Sequence, residues 1–430
     1  MTKAFRILFV FLSCIQAPWA YAALTIEITQ GVDGAQPIAV VPFEWVGADQ
    51  PPEDVGGIIM SDLQRSGRFS PLPVEDMLSE PHNGRDIKFT DWRLLGTESI
   101  VVGTMKPAGG GYAIQFQLFD VFRHTQLAGF SFRSNRANLR QTAHKISDLI
   151  YETLLGEPGA FATRIAYVTE RRKGKESHYE LQVADSDGLN SRKILSSDEP
   201  LMSPAWSADG RRLAYVSFEN GRSMLYVQTV ESGARQLIAA YPGINGAPAW
   251  SPDGRFLAAV LSKDGNPEIY IISLESQTVR RITRNYAIDT EPAWSPDGRS
   301  IVFTSDRGGR PQIYRYDIPS GSVTRLTFEG TYNARASYSP DGRMLVMVHS
   351  ENGKYQIATM ELANAALQIL TDGSLDESPS FAPNGRMIIY ATEAKGRGVL
   401  AVVSVDGRVR QRLFQEGEDA REPCWSSYYQ

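Results

Sequence analysis

Five histidines and two cysteines are the strongest metal ligands and nucleophiles in this 430-residue chain, and neither set is spaced for chemistry. His82, His124 and His144 lie in the first third, with His178 and His349 well beyond. None forms the H-E-x-x-H pattern that turns two imidazoles toward one zinc ion from a helical face. Each reads as a solitary surface or packing histidine. No G-x-S-x-G occurs, so the strained turn that exposes a nucleophilic serine in α/β-hydrolases is missing. The "GGG" at 109–111 precedes the alternating run "YAIQFQLFD", not a helix, and reads as a hairpin loop instead of a phosphate cradle. "ADSDG" (184–188) opens like a calcium loop but lacks the downstream glutamate, so a turn connecting repeats accounts for it. The sequence therefore offers no catalytic residue, no cofactor site and no metal ligand set.

What it does offer is repetition. "PAWSPDGR" stands at 248–255 and again at 292–299, with looser copies beginning at Pro204, Ala336, Pro379 and Pro423. Their aromatic positions are Trp206, Trp250, Trp294, Tyr338, Phe381 and Trp425, separated by 44, 44, 44, 43 and 44 residues. A period of that length marks one supersecondary unit stacked on its neighbours. Each unit reads as a short strand carrying the aromatic residue, an "SPDG" turn, a β-rich run such as "LAAVLS" or "IVFTS", a third strand such as "EIYIIS", and a fourth ending in "RRIT" or "TRLT". Four strands per period describe a β-propeller blade. Only five residues follow Trp425, whereas "RIAYVTE" (164–170), "YELQVAD" (179–185) and "SRKIL" (191–195) precede the first inner strand. Joining the two sets predicts six blades, closed by pairing the C-terminal inner strand with N-terminal strands and leaving no open edge. The motif residues are then architectural, and function falls to loops that vary between repeats.

Ahead of the repeats, "PIAVVPF" (37–43) and "SIVVG" (99–103) read as buried strands. Val55, Ile58, Ile59 and Leu63 share one helical face, as do Leu139, Ala143, Ile146, Ile150 and Leu154, with Asn135 as N-cap and Gly156 and Pro158 as terminators. The expected fold is thus two domains, an N-terminal α/β domain (23–157) followed by an all-β six-bladed propeller (164–430). Residues 1–22 read as a secretory leader. Lys3 and Arg6 precede an apolar run at 7–15, and Ala20 and Ala22 flank a cleavage point. Phe11 and Leu12 fit a lipidation signal before Cys14 poorly, so cleavage after Ala22 is expected, leaving Cys424 with no disulfide partner. Net charge is −5 and becomes −7 without Lys3 and Arg6, which disfavours nucleic acid as a partner.

Two surfaces could serve a protein partner. Residues just before each inner strand should ring the channel mouth, on the face opposite the "SPDG" turns: Met202 and Ser203, Asn245, Gly246 and Ala247, Thr290 and Glu291, Arg335, Glu377 and Ser378, Arg421 and Glu422. The loops "SKDGNP" (262–267) and "SDRGGRP" (305–311) share that face. Such mixed charge favours orientation and association rate over raw affinity. The second surface starts at Ala23. Leu24, Ile26 and Ile28 alternate with Thr25, Glu27 and Thr29, and Gln30, Gly31, Val32 and Asp33 follow. That alternation suits either an ordinary edge strand of the α/β domain or one that detaches to extend a partner's sheet.

The "PxWSPDG" repeats, the α/β domain ahead of them, the leader and the segment "IEITQGVDGAQPIAVVPFEW" (26–45) together resemble the periplasmic TolB family of the Tol–Pal system over nearly the whole mature chain. Ala208 in place of the turn proline, and Tyr338 and Phe381 in place of Trp, are local departures. The resemblance implies a non-enzymatic protein with a TolB-type propeller of WD40-like repeats. It implies binding of the peptidoglycan-associated lipoprotein Pal by one propeller face and of the inner-membrane-anchored TolA by the 23–33 segment. It further implies a role in outer-membrane integrity and in drawing that membrane inward at division. A propeller enzyme or sugar-binding module acting on envelope polysaccharide is the alternative.

Overall fold

The computed structural model describes residues 34–413 and 418–428; the leader and the whole 23–33 segment, Ala23 to Asp33, lie outside the described residues. The first sheet is built from β1 (Gln36–Val40), β2 (Glu44–Trp45), β3 (Phe69–Pro71), β4 (Ser99–Ala108), β5 (Gly111–Asp120) and β6 (Thr125–Ser134), in the order β3-β1-β4-β5-β6, with β2 also on β4. β1 runs parallel to β3 and β4, while β4, β5 and β6 form an antiparallel meander. Alternation along β4 sends Val101 and Met105 to one face and Ile100 and Val102 to the other. The first face is covered by α1 (Val55–Arg65) and α3 (Leu139–Leu155), through Ile59, Leu63, Ala143, Ile146 and Ile150. Trp92 of the short α2 (Phe89–Leu94) fills the second face. The glycine pair Gly109–Gly110 makes the β4–β5 hairpin turn at φ +57° and +82°. Asn135 caps a 3-10 turn (Arg136–Asn138) that leads into α3, one step earlier than a direct N-cap of the helix. Gly156 ends α3 in the left-handed region, as its position requires.

Six four-stranded sheets follow. Blade 1 comprises Leu201–Trp206, Arg212–Ser217, Met224–Thr229 and Arg235–Ala239. The inner strands of blades 2 to 5 are Asn245–Trp250, Asp289–Trp294, Tyr332–Tyr338 and Glu377–Phe381. Blade 6 is composite: Asp419–Trp425 is its inner strand and pairs antiparallel with Arg164–Lys173, so Cys424 faces Ala166 and Trp425 faces Ile165. The predicted six-bladed closure is what the structure contains.

The repeated motif has a bonding pattern of its own. Ser251 Oγ donates to Asp253 Oδ1 at 2.5 Å and accepts from the Phe256 amide at 2.9 Å, while Asp253 accepts from the Arg255 amide at 3.0 Å. Gly254 completes the turn at φ +68°. Blade 1 keeps the same bonds through Ser207 and Asp209, which is why Ala208 is tolerated there. Two of the aromatic wedges reach back by hydrogen bond to the preceding blade, the Trp250 and Trp294 indoles donating to the carbonyls of Ala205 and Ala249. Trp425 donates instead to Thr163 Oγ1, just ahead of its own blade's first outer strand, at 2.8 Å.

Trp425→Ala, which empties the seam of the composite blade, is expected to cost about 3–5 kcal/mol in urea denaturation. Gly298→Ala, which forces a Cβ into the left-handed region of a turn, should cost about 1–2 kcal/mol. A loss for Trp425→Ala no larger than for Gly298→Ala would contradict the closure role given to the indole.

Candidate functional site

Every inner strand carries a β-bulge at the same place, where pairing shifts register between Met202 and Ala205, and equivalently in the other five blades. The bulged residues are Ser203, Ala247, Glu291, Arg335, Ser378 and Glu422, all with φ between +46° and +55°. Five are followed by proline, which is harmless because a bulge already removes one ladder donor. The six residues lie within the inner strands, not before them as the sequence suggested, and line a central cavity of about 200 Å³. A left-handed backbone at each turns its side chain out of the ladder and into the channel.

Charge in that channel is organised around Arg335. Its Nε donates to Glu291 Oε1 at 3.0 Å, its guanidinium also reaches Ser378 Oγ and stands 3.4 Å from Glu422, and its amide donates to Glu291 Oε2 at 2.9 Å. Glu422 in turn accepts from the Ser203 amide at 2.5 Å, so a glutamate of one blade holds the bulge of the next. Burial disfavours the charged form of Arg335, but Glu422, Glu291 and Glu377 outweigh it and raise its pKa above the ordinary value.

Not all of the predicted ring faces solvent. Asn245 is fully buried, donating to the carbonyls of Ser223 and Tyr241 and accepting from the Tyr241 amide, so it pins a loop and is not a surface residue. Gly246, Thr290 and Glu377 are half-buried. Met202 and Arg421 are exposed, the latter near Glu170 and Asp419. Sequence reasoning missed the apolar residues outside this ring. Ile244, Tyr286, Ile288, Phe328 and Leu375 all project from loops that lead into inner strands; Tyr286 is 89% and Phe328 72% exposed. Hydrogen bonds tie these loops to those joining second and third strands: Ile244 N to Ser262 Oγ, Ile288 N to Asp306 Oδ1, and Asn266 to the carbonyls of Asn285 and Ala287. The result is one continuous face with a charged mouth and an apolar rim. Large apolar residues inside otherwise polar loops such as "RNYAIDT" were the signal available.

Residues 24–127 match the family model described as the TolB amino-terminal domain, and residues 151–429 match the TolB beta propeller domain. The chain belongs to the TolB family. It is 60% identical over 414 residues to the Tol-Pal system protein TolB of Nitrosococcus oceani, covering 96% of this chain and 95% of that one. It is 57% identical to that of Thioalkalivibrio sulfidiphilus over 100% of this chain and 99% of the relative. The crystal structure of TolB from Acinetobacter baumannii superimposes with a TM-score of 0.87 at 41% identity, covering 94% of this chain and 100% of that one. Membership makes the chain a component of the Tol–Pal system. No helix among its described residues is long and apolar enough to cross a membrane.

The two TolB-family domains meet on the opposite side of the propeller from the apolar rim. Glu157 pairs with Arg386, and Asn384 donates to the Pro158 carbonyl, both from the turn of blade 5 that corresponds to "SPDG". Arg65 of α1 donates to Ser186 Oγ at 2.8 Å and to its carbonyl at 3.1 Å, and Gln411 donates to the Arg65 carbonyl. "ADSDG" is therefore a turn inside blade 6, between Glu176–Asp185 and Arg192–Ser197, not a connection between repeats. Its Asp187 accepts from Arg140 at 2.6 Å. His144, expected to be solitary, is fully buried here against Asp62. Donor atoms of Asp62, His144 and Asp187 lie within 4.8 Å of one another, but Arg65 and Arg140 already occupy the carboxylates, so the group is an ion-pair network. The sequence could not place it, because Asp62, His144 and Asp187 converge from distant segments.

Arg335→Met, which leaves Glu291 and Glu422 facing each other across a partly exposed channel, is expected to cost about 1–3 kcal/mol of stability in chemical denaturation. An unchanged midpoint would show that the channel charges are solvated independently.

Proposed function

We propose that this chain is a periplasmic, non-catalytic interaction component of the Tol–Pal system that binds Pal on the channel face of the propeller and TolA through residues 23–33. The observation that carries the first half is the exposed apolar rim around a charged mouth, on the side of the propeller away from the N-terminal domain. Aromatic and aliphatic anchors around a polar centre are what a protein interface needs: apolar area for residence time, charge for orientation. Phe328 is held under the Arg325 guanidinium, 4.9 Å from its ring, so it is pre-positioned at little entropic cost. The second half rests on the alternating pattern of Leu24 to Thr29 and on the family resemblance. Export by a cleaved leader at 1–22 fits both partners. Through them the protein would support outer-membrane integrity and invagination at division.

Phe328→Ala and Tyr286→Ala should each weaken Pal binding by tenfold or more (about 1.4 kcal/mol) in calorimetry, without lowering stability. Deletion of residues 23–33 should abolish TolA binding and leave Pal binding intact. Loss of both interactions, or of neither, contradicts this division, and turnover of peptidoglycan fragments by the purified protein would favour the polysaccharide-directed alternative.

A further inference from the structure

The ion-pair network between the two domains contains one group whose protonation its surroundings dictate. His144 sits on α3 with no exposure to solvent, and its Nδ1 lies 2.7 Å from Asp62 Oδ2 on α1. Its Nε2 faces the blade 6 turn, 3.9 Å from Asp185 Oδ2 and 3.8 Å from Asp187 Oδ2, and has no hydrogen-bond partner. A neutral imidazole keeps a lone pair on one nitrogen. Either tautomer would direct that lone pair at a carboxylate. The imidazolium sets positive charge toward both sides at once, through the hydrogen bond at Nδ1 and by charge alone at Nε2.

Charge balance gives the same answer. Around the ring stand Asp62 and Arg65 from α1, Arg140 and Asp148 from α3, and Asp185 and Asp187 from the turn, with Glu53 reaching Arg140 at 3.8 Å. Asp148 spends its carboxylate on the Phe161 and Ala162 amides, at 2.7 and 3.1 Å. Asp62, Asp185 and Asp187 therefore face two guanidiniums, and one further proton makes the core of the network neutral. Burial and Asp187 raise the Asp185 pKa as well, but only His144 stands between the carboxylates of both domains.

We propose that the contact between the N-terminal domain and the propeller is a proton-dependent clasp, in which the His144 imidazolium joins Asp62 of one domain to the Asp185–Asp187 turn of the other. Burial opposes charge on His144, but Asp62 and Asp187 exceed that opposition and raise its pKa above the usual value. A raised value in the docked state fixes the sign of the linkage. The stabilisation is fully present below the ordinary histidine range and is lost as pH rises through the docked-state pKa. Asp148, pushed up to about 6 by burial, acts in the same direction but over a lower window, from about 4 to 6.

The test uses the full mature chain. Nuclear magnetic resonance of labelled histidine follows each imidazole with pH. His144 is expected to remain doubly protonated through the ordinary histidine range and to titrate above it. Hydrogen exchange at 184–188, corrected for its intrinsic pH dependence, should then lose protection by about tenfold for each unit of that shift as pH rises from the ordinary histidine value through the docked-state one. His144→Gln should remove this dependence, and Asp148→Asn should leave it in place. A neutral His144 at pH 6, or equal pH dependence in wild type and His144→Gln, overturns the proposal. Should His144→Gln fail to fold, the wild-type titration alone decides.

Discussion

One antiparallel pairing holds the architecture together: Asp419–Trp425 against Arg164–Lys173. Blades 1 to 5 are hairpin meanders that bring their own four strands, and each buries its flanks only against neighbours. Without the inner strand Asp419–Trp425 the edge of Arg164–Lys173 would be left unpaired, and without the whole sixth blade the first and fifth would each leave an apolar face uncovered. Pairing across the seam is reinforced by side chains: Ser426 Oγ accepts from the Arg164 amide at 3.0 Å, and the Trp425 amide donates to Ser380 Oγ of blade 5. The apolar cluster around Ile165, Tyr167, Ile389, Val402 and Trp425 joins residues from both sides of the seam.

With the ring closed, one backbone device serves six side chains of four types. The bulge in each inner strand fixes a left-handed residue, and the ring's symmetry brings all six into one channel. Scaffold and surface are thereby separated. The wedge and the Ser–Asp turn repeat because packing demands it, while Ser203, Ala247, Glu291, Arg335, Ser378 and Glu422 are free to differ. The mixed-charge mouth arises from that freedom, and the apolar rim lies one loop further out, where no strand pairing constrains composition.

The division between scaffold and surface also explains what was legible in the sequence. Blade number, turn chemistry and closure were readable because each rests on local, periodic signals: an aromatic every 43 or 44 residues, and glycine where φ must be positive. Asn245 was misread as surface because its polarity is spent on buried loop carbonyls, a fact of tertiary contact. His144 was misread for the same reason, since Asp62 and Asp187 approach it from 82 positions before and 43 after. Tyr286 and Phe328 escaped notice because a single apolar residue in a loop carries no periodicity. The ring of residues at the channel mouth was legible; the exposed apolar residues outside it were not.

The seam also dictates an order of events. Ile165 and Trp425 are adjacent in space yet separated by 260 positions in the chain. Blades 1 to 5 are stretches of consecutive strands whose pairings close short loops, whereas closing the wheel pairs strands from opposite ends of the propeller and carries the largest loop-closure cost. A polypeptide threaded through a membrane from its N-terminus would therefore spend its passage as an arc with two sticky rims. Its vulnerability to self-association or proteolysis is greatest just before the last turn of the ring snaps shut.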